Sequence, residues 1–521
     1  MLADGALYVD KRLWGGRNGI SMEFRMHFTL HDGNAREVFS MTPEIRSNQR
    51  SGPDRELTDI ADYVLRYRPR GRTVLDIARL RMTDTLACAL DALDYAECTK
   101  LLGPYVKGTV VPRGARVPGT AYVLDPVKAA FDLGTMIRWL DFNDTFTAAQ
   151  GSHPSDNLGG ILAAADALSR ERAASRKPPL AMRDVLHALI MAYEIQGCIA
   201  IENDFNAMGI DHPMLSRVAV AAVVTRLMGG GRNEIINAVS NAWVDASLRV
   251  YRQAPNAGWR KSWAAGNACA EGVRLARMAM AGEMGYPTVL SARKWGFYER
   301  YRGGKAFRFQ RPYGDYIIRN SMFKFVAAGM HGQSAAECAF RLHPHVRGRL
   351  AEIARIDIFS QRALMGIMDK TGPLHNPADR DHSVQYVVAV GLIYGKLEAS
   401  DFEDAFAADP RIDALRTRMT VTEEPRFTRE FTDPKIRSSA NAIQVTFKDG
   451  SRTPKVVVEF PFGHPRRLKE AGPVLRAKFE RALGRRYSPK RVRQILALCD
   501  DGARLEATPV QAFMDMLAVR R

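Results

Sequence analysis

Apolar residues recur at helical spacing through most of the chain. Leu57, Ile60, Ala61, Val64 and Leu65 fall on one face of a helix. The same period predicts helices over residues 75–93, 131–140, 158–172, 182–200, 215–228, 233–246 and 264–280. Punctuation agrees with these bounds: Pro178 and Pro179 break the link at 173–179, and Gly229, Gly230 and Gly231 stop the helix before them. The apolar faces are wide and rich in Ala and Gly, which implies close helix-on-helix packing, and no repeat period runs through them.

Past a basic stretch at residues 302–311 the period changes. Residues 353–360 alternate in part, and 439–447 and 454–460 flank Lys448-Asp449-Gly450-Ser451, a hairpin signal. Residues 489–496 and 509–519 return to helical spacing. The predicted fold class is therefore mainly α with an α+β second domain. Its large all-helical domain spans 51–310, its α+β lid spans 311–474, and residues 475–521 pack back on the helical part. Residues 1–50 carry mixed charge and no sustained period, with neither the apolar core of a secretory signal nor the acid-poor composition of a transit peptide. They read as a disordered extension or as a mis-set start, with Met41 the alternative first residue.

Composition narrows the class. Hydrophobic content of 46% with 25% charged residues fits a globular chain, and 521 residues suggest two or three units. The longest apolar runs, 218–224 and 386–394, fall short of the roughly 20 residues that cross a bilayer, so no membrane span is expected. A net charge of +18 attracts polyanions: nucleic acid, an acidic surface or a polycarboxylate substrate. The basic residues are scattered, and short clusters such as Arg466-Arg467 and Arg485-Arg486 lack interleaved aromatics. That favours a solvated basic surface over a nucleic-acid partner. Cys88, Cys98, Cys198, Cys269, Cys338 and Cys499 include no C-x-x-C and read as buried thiols of a reducing compartment, the cytoplasm. They offer no closely spaced set for an iron–sulfur cluster. His343 and His345, separated by Pro344, read as a loop without a third ligand, so no metal site is expected.

Candidate chemistry concentrates in residues 139–157. Asp141 and Asp144, three apart, would share a face if helical, which suits acid–base work or the orientation of a histidine; capping or surface charge is the bland alternative. Ser155 or Asp156 is placed to cap the next helix, whose Gly159 and Gly160 admit a close backbone or ligand. Its N-terminus would then be an anion cradle with His153 at the lip. Pro154 holds His153 extended. His212 likewise precedes a proline at a helix start, so two His-Pro pairs either converge on one anion or coincide by chance. Lys261, between Trp259 and Trp263 and beside Arg260, either turns inward to a carboxylate or stays on the surface. Lys324 and His331 offer an anion contact or a helix surface. Arg380, His382 and Tyr386 stand at the start of an apolar helix, where Tyr386 is a proton donor or a satisfied core tyrosine.

Taken in order, Arg138-Trp-Leu-Asp-Phe-Asn-Asp-Thr, His153-Pro-Ser-Asp-Asn-Leu-Gly-Gly, Ala192-Tyr-Glu-Ile-Gln-Gly, Asp211-His212, residues 261–267, His331-Gly-Gln-Ser-Ala and His382-Ser-Val-Gln-Tyr resemble the MmgE/PrpD family. The resemblance runs from about Leu57 to the C-terminus and leaves out the first fifty residues. It implies a large helical domain built from both ends of the chain, a smaller α+β lid, a site between them and a homodimer. It also implies a hydro-lyase that dehydrates a tricarboxylate with no cofactor and no iron–sulfur cluster. Asp141, Thr145, His153, His212, Lys261 and Tyr386 match residues used by a related decarboxylase, but a further histidine of that enzyme falls near Ala327, which departs from the decarboxylase pattern. His331 is assigned to the dehydratase pattern instead. The expected reaction is a β-elimination: Lys261, Arg260 and, from the lid, Arg467 bind carboxylates, while His153 and His212 move protons. Tyr386 supports as an acid, and Asp141 with Thr145 orients the histidines. Positive charge on the bound carboxylate stabilises the electron-rich intermediate.

Overall fold

The structure is a computed structural model and describes residues 7–16, 19–29, 35–41, 51–252 and 255–519. Two units are distinguished, Met1–Gly52 and Pro53–Arg521. In the first, β1 (Leu7–Gly16), β2 (Gly19–Thr29) and β3 (Ala35–Met41) form an antiparallel sheet in that order. Leu7 stands opposite Phe28, and the β2–β3 register shifts between Met26 and His27. The remainder of residues 1–50, for which an extension or a mis-set start is expected, lies outside the described residues.

The second unit opens with helices α1 (Arg55–Arg66), α2 (Arg72–Asp91), α3 (Pro126–Arg138), α4 (Leu158–Ala174), α5 (Met182–Ala200), α6 (Pro213–Leu227), α7 (Arg232–Val244) and α8 (Arg260–Met280). Helix α3 starts where its sequence says it should: Asp125 accepts the N–H groups of Val127 and Lys128, and Pro126 occupies the first turn. Helices α3, α4 and α8 meet backbone to backbone through glycines. A Cβ on Gly134 would sit 2.8 Å from the Cα of Gly266, and one on Gly159 would sit 2.7 Å from the Cα of Gly134. Neither neighbour can yield, because both are main chain. Gly134→Val is therefore expected to lower stability by at least the 1–3 kcal/mol typical of overpacking, read as a drop in the urea midpoint; an unchanged midpoint would show that α3 and α8 are free to part.

The chain continues through α9 (Gln333–Val346), β4 (Ile353–Ser360), α10 (Arg362–Met368), α11 (Val384–Tyr394), β5 (Met419–Glu423), β6 (Asn441–Phe447) and β7 (Val456–Val458). The sheet runs β5-β4-β6-β7, with β5 parallel to β4 and the other pairs antiparallel. Helix α9 packs on β6, β7 and α11. Four helices close the chain: α12 (Leu468–Gly484), α13 (Pro489–Asp500), α14 (Gly502–Ala507) and α15 (Val510–Leu517). They lie on the helical part, α12 against α2, α14 against α5 and α15 against α4. Lys478 of α12 donates to Asp84 of α2 at 2.8 Å in a buried pair. Among the described residues no helix is long and apolar enough to cross a membrane.

Four local expectations change. Helix α3 ends at Arg138, so Asp141 and Asp144 lie in a loop and share no helix face. Neither Ser155 nor Asp156 caps α4: both belong to a 3-10 turn, Pro154–Asn157, and both accept hydrogen bonds from the Asn143 amide. Gly159 and Gly160 face Gly134 and Val220, so the close approach there is helix packing and not an anion. His343 and His345 stand in α9, not in a loop, because Pro344 falls in its final turn, where little of the helix remains to be broken.

Candidate active site

Loops of the helical part and segments from residue 329 onward enclose a cavity of about 350 Å³. The α3–α4 connection contributes Arg138, Asp141, Thr145 and His153; the approach to α6 contributes Asp211 and His212; the α7–α8 link contributes Arg249 and Arg252. Met330, His331, Ile367 and His382 complete the ring from the other side.

Two imidazoles lie side by side in its wall, the ring centroids of His153 and His212 being 5.3 Å apart and their planes tilted by 53°. The Nδ1 of His153 lies 2.8 Å from the carbonyl oxygen of Asp144. A carbonyl only accepts, so Nδ1 carries the proton and Nε2 presents a lone pair. His212 is set the same way: its Nδ1 is 3.3 Å from a carboxylate oxygen of Asp211, and its Nε2 has no partner among the described residues. Burial keeps both rings neutral. It pushes His212 down to about 4, and for His153 burial together with the Arg138 and Lys324 charges lowers the value well below the ordinary range.

Each imidazole has an anion behind it. Asp211 accepts from Arg252 Nε at 2.6 and 2.7 Å and from the Tyr251 hydroxyl at 2.6 Å. Burial alone would raise this carboxyl, but Arg252 and His212 outweigh it and hold it far below its usual value. Asp141 has a left-handed backbone, φ 47°, a strained state for a residue other than glycine. Lys324 donates to both its carbonyl and its carboxylate at 2.8 Å, and Arg138 donates to the same carboxylate. His382 Nε2 stands 3.5 Å from the other oxygen. Against burial, Arg138 and Lys324 hold Asp141 well below the carboxylate range.

Of the candidate residues singled out in the sequence, Asp141, Thr145, His153, His212, His331 and His382 line the cavity. His331 accepts from the Gln361 amide at 2.9 Å, and burial lowers it to about 3. Four others do not line it. Lys261 sits behind His382, donating to Asp381 and to the Ala378 carbonyl at 2.9 Å, while His382 Nδ1, 3.0 Å from the ammonium, lies 2.6 Å from the same Asp381 carboxylate. The Tyr386 hydroxyl donates to the Asp401 carbonyl at 2.6 Å, and its ring stacks on Phe402. Arg260 is exposed over the rings of Tyr251 and Trp263. Arg467 is occupied by Glu337, Glu470 and the Phe460 carbonyl. Asp144 also turns away, to Arg81 at 3.2 Å and the Tyr193 hydroxyl at 2.8 Å. Ala327 is buried beside Trp139 and Asp381 and does not line the cavity either.

Arg249 and Arg252 carried no signal in the sequence, since the α7–α8 link has no period and isolated arginines usually lie on the surface. Their environment here is specific. The Nε atoms of Arg138 and Arg249, Asp141 Oδ2 and His212 Nε2 are buried without a hydrogen-bond partner among the described residues. All four belong to residues that line the cavity. Asp141, Asp381 and His382 bring three potential metal-ligand atoms within 4.8 Å of one another, yet Lys261, Lys324 and Arg138 already neutralise both carboxylates. A metal cation would enter against three positive charges, so this donor set does not fit one. All six cysteines are free and buried, and none lines the cavity.

A helical body, an α+β part and a buried pair of neutral imidazoles among arginines define an enzyme that performs acid–base chemistry on an anion. The chain belongs to the MmgE/PrpD family: residues 58–310 match the MmgE/PrpD N-terminal domain, and residues 326–501 match the MmgE/PrpD C-terminal domain. It is 55% identical to a 2-methylcitrate dehydratase of Cupriavidus necator over 92% of this chain and 100% of that one. It is 52% identical to a 2-methylcitrate dehydratase of Salmonella typhimurium, covering 91% and 99% of the two chains. A mitochondrial 2-methylcitrate dehydratase of Yarrowia lipolytica is 48% identical, covering 88% and 89%.

Proposed function

We propose that this chain is a hydro-lyase that dehydrates 2-methylcitrate to 2-methyl-cis-aconitate, using its own acid–base groups and no cofactor. The observation that carries the reading is the pair of buried neutral imidazoles, 5.3 Å apart, in a cavity ringed by arginines. The near full-length likeness to proteins named for that activity supports it.

The substrate is a trianion, and its carboxylates bind Arg138, Arg249 and Arg252. His212 Nε2 takes the proton from the carbon next to a carboxylate, and the arginine on that carboxylate stabilises the charge that develops. As the carbon–oxygen bond breaks, protonated His153 delivers its Nε2 proton to the departing hydroxyl, and water leaves. One proton has then moved from carbon to His212 and another from His153 to oxygen, and exchange between the two rings restores the start. Lys261 holds His382 in place from behind, and Tyr386 fixes the start of α11.

The His153 proton has a physical source. Three arginines and the cavity's three aspartates, Asp141, Asp204 and Asp211, cancel formally, while His153, His212, His331 and His382 are neutral and low in pKa. A trianion beside them raises every imidazole pKa, so binding takes up protons. Calorimetric titration of 2-methylcitrate at pH 7 in buffers of different ionisation enthalpy is expected to show uptake of about one proton; a binding heat that does not depend on buffer would remove the proposed acid. The activity itself is tested by incubating the purified chain with 2-methylcitrate and following the ultraviolet absorbance of the conjugated alkene, and no absorbance change would overturn it.

The same reading places the chain in propionate breakdown through the methylcitrate cycle, as a cytoplasmic homodimer with no nucleic-acid partner. The six unpaired buried thiols fit a reducing compartment, and light scattering at assay concentration tests the dimer.

A further inference from the structure

The lining of the cavity is divided by chemistry. Among the described residues, every charged side chain in it comes from positions before 253. Among the described residues, the segments from 329 onward supply only two polar side chains, His331 and His382, and otherwise apolar surface: Met330, Ala363, Ile367, Met368 and Phe431. A carboxylate pressed against that wall would lose its hydration with nothing in return, whereas a methyl group gains.

The wall is held in place. Met330 Sδ receives the hydroxyls of Thr145 at 3.3 Å and Thr147 at 3.4 Å. Thr145 Oγ1 also lies 3.1 Å from the carbonyl oxygen of Ser152, the residue before His153. The thioether is thus tied to the backbone that carries one of the two imidazoles. From the other side, buried Met368 of α10 fits under the 329–332 turn because that turn has glycines at both ends. A Cβ on Gly329 would lie 2.9 Å from Met368 Sδ, and one on Gly332 would lie 2.9 Å from Met368 Cε. Helix α10, with Ala363 and Ile367 on the cavity, is thereby docked to the Met330 turn.

We infer that Met330, Ala363 and Ile367 form the seat of the substrate's methyl group and set the preference for 2-methylcitrate over citrate, which lacks it; this rests on the dehydratase reading above. The reaction dictates where the methyl must lie. The carbon that gives up its proton is the one that bears the methyl, so the methyl is one bond away from the atom under attack by a histidine. An apolar surface beside the imidazole pair is what it meets, and the Met330 wall is that surface. Met suits the task, because its unbranched polarisable chain moulds to a small group.

Burial of one such group favours the methylated substrate by about four-fold, and a fitted pocket discriminates by about 10- to 200-fold. The test is kcat/KM of the full chain for 2-methylcitrate and for citrate, in wild type, Ile367→Ser and Ala363→Leu, with a melting curve for each. Wild type is expected to prefer 2-methylcitrate. Ile367→Ser removes the apolar contact and is expected to lower the ratio by at least about four-fold. Ala363→Leu fills the seat and is expected to lower it further, through KM for 2-methylcitrate. If Ile367→Ser does not fold, Ala363→Leu decides alone. Turnover with a ratio within two-fold of wild type in the folded variants would overturn the methyl seat and leave the dehydratase reading standing. Absence of turnover of either acid by wild type would overturn the dehydratase reading, and the seat with it.

Discussion

His212→Asn is expected to lower kcat for 2-methylcitrate by about 10²- to 10⁴-fold, the range in which general-base catalysis acts. Asparagine places its amide nitrogen near the position of Nδ1, so the contact to Asp211 survives and only the Nε2 lone pair is lost. The same base sets a pH dependence. Only neutral His212 accepts a proton, and the free ring titrates at about 4, whereas His153 gains its proton on binding, so kcat/KM is expected to rise as pH falls from 8 and to stop rising as pH drops through about 4. Stability moves in the same window. The unfolded ring titrates near 6.5 and the folded one lower, so the stability gained by burying it neutral is complete above about 6.5 and is lost as pH falls toward 4. Assays in acid therefore need brief exposure and a melting control. A folded His212→Asn protein that keeps kcat within a few-fold of wild type would remove this residue as the base.

Much of the helical frame is legible because burial writes itself into spacing. Helices α5, α6 and α8 are each buried along most of their length, and their apolar runs end within four residues of the observed bounds. The strand period of β2 is also in the sequence, at Ile20, Met22, Phe24, Met26 and Phe28, but a window tuned to helices passes over it. β5 is harder to see, since five residues with Met419 and Val421 only half-buried make a short pattern.

The site divides along a similar line. His153 and His212 stand out because each precedes a proline at the entry to a helical turn, and that is a local property. What remains depends on partners far along the chain. Lys261 does turn inward to a carboxylate, as its aromatic neighbours suggest, but the carboxylate belongs to Asp381 and draws the ammonium behind His382. The Tyr386 hydroxyl is taken by a carbonyl fifteen residues on, and Arg467 by two glutamates of its own neighbourhood. Of the arginines that do reach the cavity, Arg138 opens a family motif, whereas Arg249 and Arg252 sit on a link with no pattern at all. Resemblance to a family supplies residue types; only the three-dimensional pairing tells which of them are still free to meet a substrate.

Asp141 shows what that pairing is worth. Its carboxylate is the shared counter-ion of Arg138 and Lys324, all three buried. Asp141→Ala leaves two cations without it and is expected to cost about 3–5 kcal/mol, the penalty of stranding a buried charge. Alanine also tolerates the left-handed backbone at φ 47° less well than aspartate or asparagine, which adds to the cost. The deficit has a predictable pH course. Burial already lowers Lys324 to about 8, and loss of Asp141 lowers it further, so the folded variant holds this lysine neutral at pH 7 while the unfolded chain still binds the proton. Where the unfolded state binds more protons, stability rises with pH. The gap between Asp141→Ala and wild type is therefore expected to narrow from pH 7 to pH 9, and to stay open at pH 9 because Arg138 cannot give up its charge. Urea unfolding at the two pH values measures this. A gap that widens with pH would mean that Lys324 stays charged in the variant and has found another anion, and an Asp141→Ala midpoint equal to that of wild type would mean that the buried triad holds nothing together.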